Sequence, residues 1–264
     1  MNDFDNQVLQ HFIEQEKKGQ DYRYNSFDHA ILDKMLSEIN EKLGTDFHYL
    51  AEIDAYNIKG SGIIMKSFFD LFSSHSIRAY LIPQIVSDNV KDCDVFLFQS
   101  YLEFKKSTEY IALPGKPAPT NIYVRYDNAF HKLKSKRIKD DLISLAFYPR
   151  DAFYLPLTMR MLASWKVPEL EPILCSFLSG ITITSDSIGL PSNDEKYYPP
   201  LSFIKRELKF LAIRALKYYP SDEILERLQK CTIDSDSDIS QCAKKTLVAI
   251  EKALSKHWTG TEKY

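Results

Sequence analysis

Glycine is scarce in this chain, with 8 in 264 residues, whereas tyrosine and phenylalanine number 16 each. Architectures built from tight turns use glycine where the backbone needs a positive φ, so its shortage disfavours a sheet-rich fold. Large aromatic side chains supply buried apolar area that suits packed helices. The balance therefore predicts an all-α fold.

Cysteine is also rare, and its wide spacing matches neither a disulfide framework nor a zinc site. Cys175, Cys231 and Cys242 fall in helical apolar patterns, where a reduced thiol behaves as a small hydrophobe. No run approaches the roughly 18 apolar residues of a membrane span. The acidic opening segment lacks the basic and apolar regions of a signal peptide. We therefore expect a reducing, cytoplasmic location and no membrane partner.

Neither sign of charge is in clear excess, because 34 basic residues are set against 36 acidic ones, a formal charge of −2. A chain this close to neutrality has no general field that attracts nucleic acid or an anionic membrane. A nucleic-acid role would have to depend on a local basic patch.

What the chain does contain is one helical pattern written three times. Apolar and small residues recur at i, i+3, i+4, i+7 and i+8, the spacing of one stripe on a helix. The copies are Leu155, Thr158, Met159, Leu162 and Ala163; Leu208, Leu211, Ala212, Ala215 and Leu216; and Ile239, Cys242, Ala243, Thr246 and Leu247. The last two copies are 31 residues apart, and the first, looser copy lies 53 residues before the second because a loop intervenes. Repetition at a spacing of about thirty to forty residues is typical of stacked helix pairs.

Helical patterns cover most of the remaining chain. The first half predicts helices over residues 8–13, 26–43, 62–72, 77–85 and 90–106, and the second over 137–147, 151–166, 169–179, 201–218, 221–232 and 238–256. In the helix over 26–43, Ser26 can act as the cap, apolar residues recur at every fourth position from Phe27, and Gly44 suits the end. Pro83, inside the fourth segment, predicts a kink or a displaced helix start.

A change of pattern at residues 107–127 predicts the joint between two halves. Four turn-forming residues, Pro114, Gly115, Pro117 and Pro119, precede an alternation of Ile122, Val124 and Tyr126. We expect a long irregular connection that ends in a short extended piece. The predicted organisation is thus a helical region over 1–106, the connection over 107–127, and a repeat region over 128–264.

Helix pairs with small residues on the first helix of each pair resemble HEAT repeats. The resemblance covers residues 137–256 and, more weakly, the first half; armadillo-like or unclassified helical arrays remain alternatives. It implies an α-α superhelix, that is, a solenoid of stacked helical hairpins, in which the segment 181–200 protrudes as an insertion.

Two loops and a basic run are the candidate partner-binding segments. Cations interleaved with aromatics can grip phosphates, stack on bases or meet an acidic protein, although a solvated helix face has the same composition. The candidate residues are Tyr123, Arg125, Tyr126, His131, Lys132, Lys134, Lys136 and Arg137, followed by Lys139 and, in the insertion, by Asp194, Glu195, Tyr197 and Tyr198.

Alternating carboxylates between Asp234 and Asp238 imitate the start of a calcium loop. An EF-hand would require glycine and glutamate at the positions of Ile239 and Lys245, so we interpret the segment as a loop. Asp238 or Ser237 is the predicted cap of a helix that opens at Ile239.

Sequence motifs for catalysis are absent: no G-x-S-x-G elbow, no phosphate-binding loop and no histidine pair with zinc spacing occur. We therefore predict no metal, no cofactor and no catalytic residue, although an active site assembled from distant residues leaves no linear trace. Trp165 and Trp258 suggest a comparison with HEAT-like DNA glycosylases, which recognise damaged bases with aromatics. A core position is the simpler interpretation of Trp165.

These observations favour a non-enzymatic solenoid that binds another protein through its inner helices and its two long loops. A toxin-neutralising immunity protein of a bacterium, with a toxin domain as the partner, is one form of this hypothesis, and a regulatory adaptor is another. The alternative is a nucleic-acid-binding protein of the glycosylase type. The sequence does not indicate the oligomeric state.

Overall fold

The computed structural model describes residues 26–56, 58–107, 120–180, 183–184, 186–188 and 200–258, together with residues 10 and 14. Within these ranges the chain forms thirteen α-helices and one short 3-10 helix, with no strand. The all-α prediction is confirmed. The predicted first helix at residues 8–13 lies outside the described residues.

The described residues divide into two units, which are taken separately. The first unit contains residues 26–107 and 120–133. Its helices are α1 (Ser26–Leu43), α2 (Leu50–Tyr56), α3 (Ser61–Phe69), α4 (His75–Ser87), α5 (Cys93–Lys106) and α6 (Thr120–Leu133). Among them, α4 packs most extensively on α3 and α6.

Helix α1 has the predicted bounds, but its predicted ladder of apolar residues and its buried face coincide only in part, at Met35 and Ile39. The interior receives Leu32, Met35, Leu36 and Ile39, whereas Phe27 is 63% exposed. Four residues advance a helix by more than one full turn, so a strict four-residue ladder drifts across its surface. The helix ends as expected, because Gly44 adopts φ 66° and its N–H donates to the carbonyl of Asn40.

Aromatic rings fill the interior of the first unit between α5 and α6. The ring centroids of Phe104 and Tyr123 lie 5.2 Å apart, and those of Tyr101 and Tyr126 lie 5.3 Å apart, both in edge-to-face geometry. All four side chains are fully buried. The hydroxyl groups of Ser100 and Tyr126 are 2.6 Å apart, which gives this buried phenol a partner.

The extended piece predicted at Ile122, Val124 and Tyr126 is wrong, because residues 120–133 form α6. The alternation is part of a helical stripe in which Ile122, Tyr123, Tyr126, Ala129 and Phe130 are buried at i, i+1, i+4, i+7 and i+8. β-Branched and aromatic residues favour strands only where a pleated surface is available to them. Of the predicted connection, residues 108–119 lie outside the described part of the chain.

The second unit begins at Lys134 and contains the repeated pattern. Its described helices are α7 (Lys139–Ala146), α8 (Pro149–Tyr154), α9 (Pro156–Ser164), α10 (Leu170–Ser179), α11 (Leu201–Leu216), α12 (Asp222–Cys231) and α13 (Ser237–Trp258). Most of the predicted insertion at 181–200 is outside the described residues, apart from short pieces that include the 3-10 turn Asp186–Ile188.

The three copies of the pattern lie at successive helix contacts. Helix α9 packs on α11, and α11 packs on α13. Every residue of the first two copies is buried, as are Ile239, Ala243 and Thr246 of the third. Helices α10 and α12 pack on α11 and α13, respectively. The pattern therefore marks the contact stripe of each helix in this row.

One predicted helix of the second unit is in fact two. The segment 151–166 is divided at Leu155, where φ is −117° and ψ is 50°, and α9 starts at Pro156. Proline has no N–H to donate and disfavours the helical region for the residue before it, so the chain turns and a new helix begins. Pro83, by contrast, lies within α4.

Candidate functional site

The two tyrosines predicted to meet a partner are core residues. Tyr123 and Tyr126 are fully buried in the aromatic interior of the first unit, and burial raises the pKa of Tyr126 well above its ordinary value. Arg125 is half-buried, with its guanidinium carbon 5.5 Å from the ring centroid of Tyr80. Neither tyrosine ring is accessible for stacking on a base or a partner.

The predicted basic run divides between the two units. His131 and Lys132 end helix α6 of the first unit, whereas Lys134, Lys136 and Arg137 belong to the second. The four cationic side chains are exposed, and His131 is half-buried. Their role in binding stays a prediction, as does that of Lys139, which begins α7.

Other candidates lie at the edge of the described chain or beyond it. Asp194, Glu195, Tyr197 and Tyr198 are outside the described residues, and so is the side chain of Trp258. Trp165 is half-buried directly after α9, where its backbone N–H donates to the carbonyls of Met161 and Leu162. This position agrees with its interpretation as a packing residue.

The aspartate-rich loop caps a helix, but through a different residue than predicted. Asp236 Oδ1 accepts from the backbone N–H groups of Asp238 at 2.9 Å and Ile239 at 3.3 Å. The predicted caps, Asp238 and Ser237, are wrong because α13 begins at Ser237, which places the cap one residue earlier. A cap accepts from the second and third helical residues, and Asp236 does so.

The same loop joins the start of α13 to α11 through ion pairs. Arg206 Nε donates to Asp236 Oδ2 at 2.6 Å, Arg206 Nη2 donates to Asp238 at 2.8 Å, and Lys209 pairs with Asp234. The hydrogen bonds from Arg206 and Lys209 lower the pKa of Asp236 and Asp234, respectively. The carboxylates therefore have cationic partners within the unit. Among the described residues no cluster of metal-ligating side chains occurs.

Beyond these ion pairs, an open groove of about 560 Å³ runs between α11 and α13. We call it the α11/α13 groove. Its lining includes Phe210, Arg214 and Lys217 from α11, and Gln241, Lys245 and Ala249 from α13. The residues recur at roughly one helical turn on each helix, so the groove follows the line along which the two helices pack.

Phe210 holds two arginines in the groove. The guanidinium carbons of Arg206 and Arg214 lie 4.8 Å and 5.5 Å from the centroid of its ring. A cation over an aromatic face is attracted by the ring quadrupole, and the contact limits the number of conformations that the arginine samples. The ring thus directs Arg214 along the groove.

The two ends of the α11/α13 groove differ in charge compensation. Arg206 has three carboxylates around it, because Glu207 adds a contact at 3.0 Å to those from the loop. Arg214, Lys217 and Lys245 are exposed, and none of them forms an ion pair with another described residue. The end at Arg206 is therefore net negative, because three carboxylates surround one guanidinium, and the other end is an open cluster of positive charge.

Helices α10 and α12, the inner helices of the predicted repeats, border smaller grooves of mixed charge. Arg227 pairs with Glu223 and Lys230 with Glu226, each at 2.7 Å and one helical turn apart. The hydrogen bond from Lys230 lowers the pKa of Glu226. On α12 these basic side chains are already paired with neighbouring acids.

Formal charge follows the same division between helices. Helix α11 has four basic residues and one acidic residue, and α13 has four basic and two acidic. Helix α12 has three acidic and two basic residues, and α10 has a single acidic one. Helices α11 and α13, which border the groove, are thus net basic, although the whole chain is nearly neutral.

Sequence reasoning missed this groove, although part of its signal was present. Arg206, Phe210, Arg214 and Lys217 are spaced i, i+4, i+8 and i+11, which places them along one side of α11, away from its buried pattern. The predicted binding segment was instead the densest cationic run, 132–139. A helical wheel of 201–217 would have shown the stripe on α11.

Comparisons with known proteins identify no relative: no protein-family model, curated protein or solved structure matches this chain. Among the helices that the structure describes, none combines the length and the apolar content that a membrane span needs.

Proposed function

We propose that the second unit is a HEAT-like stack of helical hairpins that binds another protein. The observation that carries the proposal is the burial of the repeated small-residue pattern at two successive contacts, α9 on α11 and α11 on α13. Equivalent stripes at equivalent contacts are what a repeat architecture requires. A row of helices formed in this way presents an extended surface.

The charge of that surface favours a protein as the ligand. Nucleic-acid binding draws its strength from neutralising many phosphates along a backbone. The α11/α13 groove has three uncompensated cations, next to carboxylates of Glu207 and Asp238 that would repel a phosphate chain. A limited, mixed pattern of this kind matches the patchwise complementarity of protein partners.

Within this function we retain two specific hypotheses. One is a toxin-neutralising immunity protein, whose partner is a toxin domain; the other is a regulatory adaptor. Both are associations with a type of protein, since a fold by itself does not determine function. The first predicts that production of this chain protects a cell from the product of a neighbouring gene.

The experiment begins with affinity purification of the tagged full chain from its native host. A recovered protein is then produced separately and titrated into the purified chain by calorimetry, with treatment by nucleases as the control for tethering through DNA or RNA. We expect saturable binding with a fixed stoichiometry. Failure of every recovered protein to bind directly would contradict the proposal.

The nucleic-acid alternative is tested in parallel with the exposed cations Lys132, Lys134 and Arg137. On the proposed function, the wild-type chain shows no affinity for DNA or RNA that their replacement by glutamate could remove. Wild-type affinity for nucleic acid that falls steeply with salt, and that these substitutions abolish, would favour the alternative.

A further inference from the structure

Three exposed cations of the second unit that form no ion pair line the same groove. Arg214 and Lys217 reach it from α11, and Lys245 reaches it from α13, which is a separate stretch of sequence. Basic residues on α12, in contrast, have acidic neighbours one turn away. Three such cations, from two helices, therefore border one open groove that also contains an aromatic ring.

We propose that the α11/α13 groove binds an acidic segment of a partner protein, whose carboxylates pair with Arg214, Lys217 and Lys245. This inference rests on the proposed protein-binding function and names the class of ligand and the place where it binds. Carboxylates suit the planar guanidinium of Arg214, which can donate two parallel hydrogen bonds to them.

The groove is prepared for such a ligand by Phe210. Its ring lies 5.5 Å from the guanidinium carbon of Arg214, so part of the ordering of this side chain precedes binding. Phe210 is therefore a positioning residue. Arg206 contacts the same ring but is held by three carboxylates, which leaves Arg214 as the arginine that faces a ligand unpaired.

Charge along the groove also orients the bound segment. At the loop end Glu207 and Asp238 present negative charge beside the compensated Arg206, while Lys217 lies directly after the last residue of α11. A ligand carboxylate is repelled at the first end and attracted at the second. The acidic residues of the segment therefore lie toward the carboxyl end of α11.

The test uses the full chain and a labelled synthetic peptide in which glutamates alternate with leucine and serine. A peptide with every glutamate replaced by glutamine, and a single-stranded DNA of similar length, serve as comparison probes. Fluorescence anisotropy is measured at low and at physiological salt. We expect the glutamate peptide to bind more tightly than both other probes.

Two neighbouring lysines on α13 provide a matched pair of variants. Lys245 lines the groove, whereas Lys244 is equally exposed but does not. Lys245→Glu should weaken peptide binding about tenfold, because a favourable charge pair becomes a repulsive one. Lys244→Glu makes the same change in net charge and should weaken it less than about twofold, as expected for a screened, distant charge.

The variant Phe210→Leu tests whether Phe210 acts by positioning Arg214 or by contacting the ligand itself. The variant keeps an apolar side chain but removes the ring, so we expect weaker peptide binding than in the wild type and a smaller additional effect of Arg214→Gln. Equal effects of Arg214→Gln in both backgrounds would remove Phe210 from the proposal. Circular dichroism confirms that each variant keeps its helical content.

Several results would overturn the inference. They are undetectable binding of the glutamate peptide, equal losses in Lys244→Glu and Lys245→Glu, or tighter binding of the DNA. Self-association of the chain that Lys245→Glu abolishes would assign the groove to a second copy instead. If the separately purified partner binds with unchanged affinity to Lys245→Glu and Arg214→Gln, the proposed function stands and the groove assignment fails.

Discussion

Aromatic rings fill the first unit between α5 and α6, whereas alanine, threonine and leucine fill the contacts of α9, α11 and α13 in the second. In the first, Tyr101 alone makes ring contacts with Phe104, Tyr123, Tyr126 and Phe130. In the second, the fully buried residues of α11 include Ala212 and Ala215. Both interiors exclude water, but they do so with side chains of very different size.

The difference explains why only one unit shows its architecture in the sequence. A ring can fill an irregular space from several directions, so the residues that pack need not recur at equal spacing. Small side chains at a close contact leave less freedom, because each must face its neighbour at the level where the two helices approach. Repetition is therefore readable in the second unit and obscured in the first.

The largest expected effect is the loss of a ring from the first unit. Phe104 is fully buried, and Phe104→Ala should lower the free energy of unfolding by about 3 to 5 kcal/mol through lost burial and the remaining cavity. Phe147→Ala, at a side chain 60% exposed, is the control and should change it by less than about 0.5 kcal/mol. Urea unfolding followed by circular dichroism measures both. Similar losses of unfolding free energy in the two variants would contradict the burial of Phe104 in an aromatic interior.

The second unit should be sensitive to added volume rather than to its loss. Ala212→Leu introduces three carbon atoms at a fully buried position of α11, and we expect a cost of about 1 to 3 kcal/mol from overpacking. Ala253→Leu, at an exposed position of α13, is the matched substitution and should be nearly neutral. Unchanged thermal unfolding of Ala212→Leu would show that the contact between α11 and its neighbours is looser than described.

A smaller effect concerns a polar pair within the ring cluster, the hydroxyl groups of Ser100 and Tyr126. Tyr126→Phe leaves the hydroxyl of Ser100 without this partner and should cost about 1 to 2 kcal/mol. The double variant with Ser100→Ala should recover part of that loss, since neither buried group then needs a partner. A double-mutant cycle in urea measures the coupling. Additive losses would mean that the two hydroxyl groups are not energetically coupled.

The smallest expected effect is the loss of a helix cap, which should lower stability by the same amount in both units. Ser74 caps α4 and Ser221 caps α12, and each accepts a hydrogen bond from the backbone N–H three residues later. Replacement of either serine by alanine should cost about 1 kcal/mol, because a cap depends on the helix end and not on the core. Two separate denaturation curves test this, and strongly unequal losses would show that the interiors affect even the helix ends.

Much of the fold was predictable, because helix ends and periodicity are local properties. The end of α1 followed from Gly44, which adopts positive φ. The errors arose where one residue type suits two environments. Alternating apolar residues from Ile122 to Tyr126 fit a strand as well as a helix, and a tyrosine suits a core as well as a binding surface. Local sequence does not say which neighbour such a side chain will meet.

The candidate site was predictable only in part. The stripe from Arg206 to Lys217 could be read from helical spacing, and the segment Asp234–Asp238 was correctly interpreted as a loop that opens a helix. The identity of the cap was missed because it depends on where α13 starts. The ion pairs of that loop with Arg206 and Lys209 required the two helices to lie side by side.

By itself the sequence determined the helical class, most helix ends and the stripe that each repeated helix buries, because these follow from interactions within a few residues along the chain. Tertiary structure alone decided that Tyr123 and Tyr126 face the core and that Lys245 joins Arg214 and Lys217 in one groove. Those relations depend on which helices pack together. Packing is decided by the fit of whole surfaces whose parts are far apart in sequence.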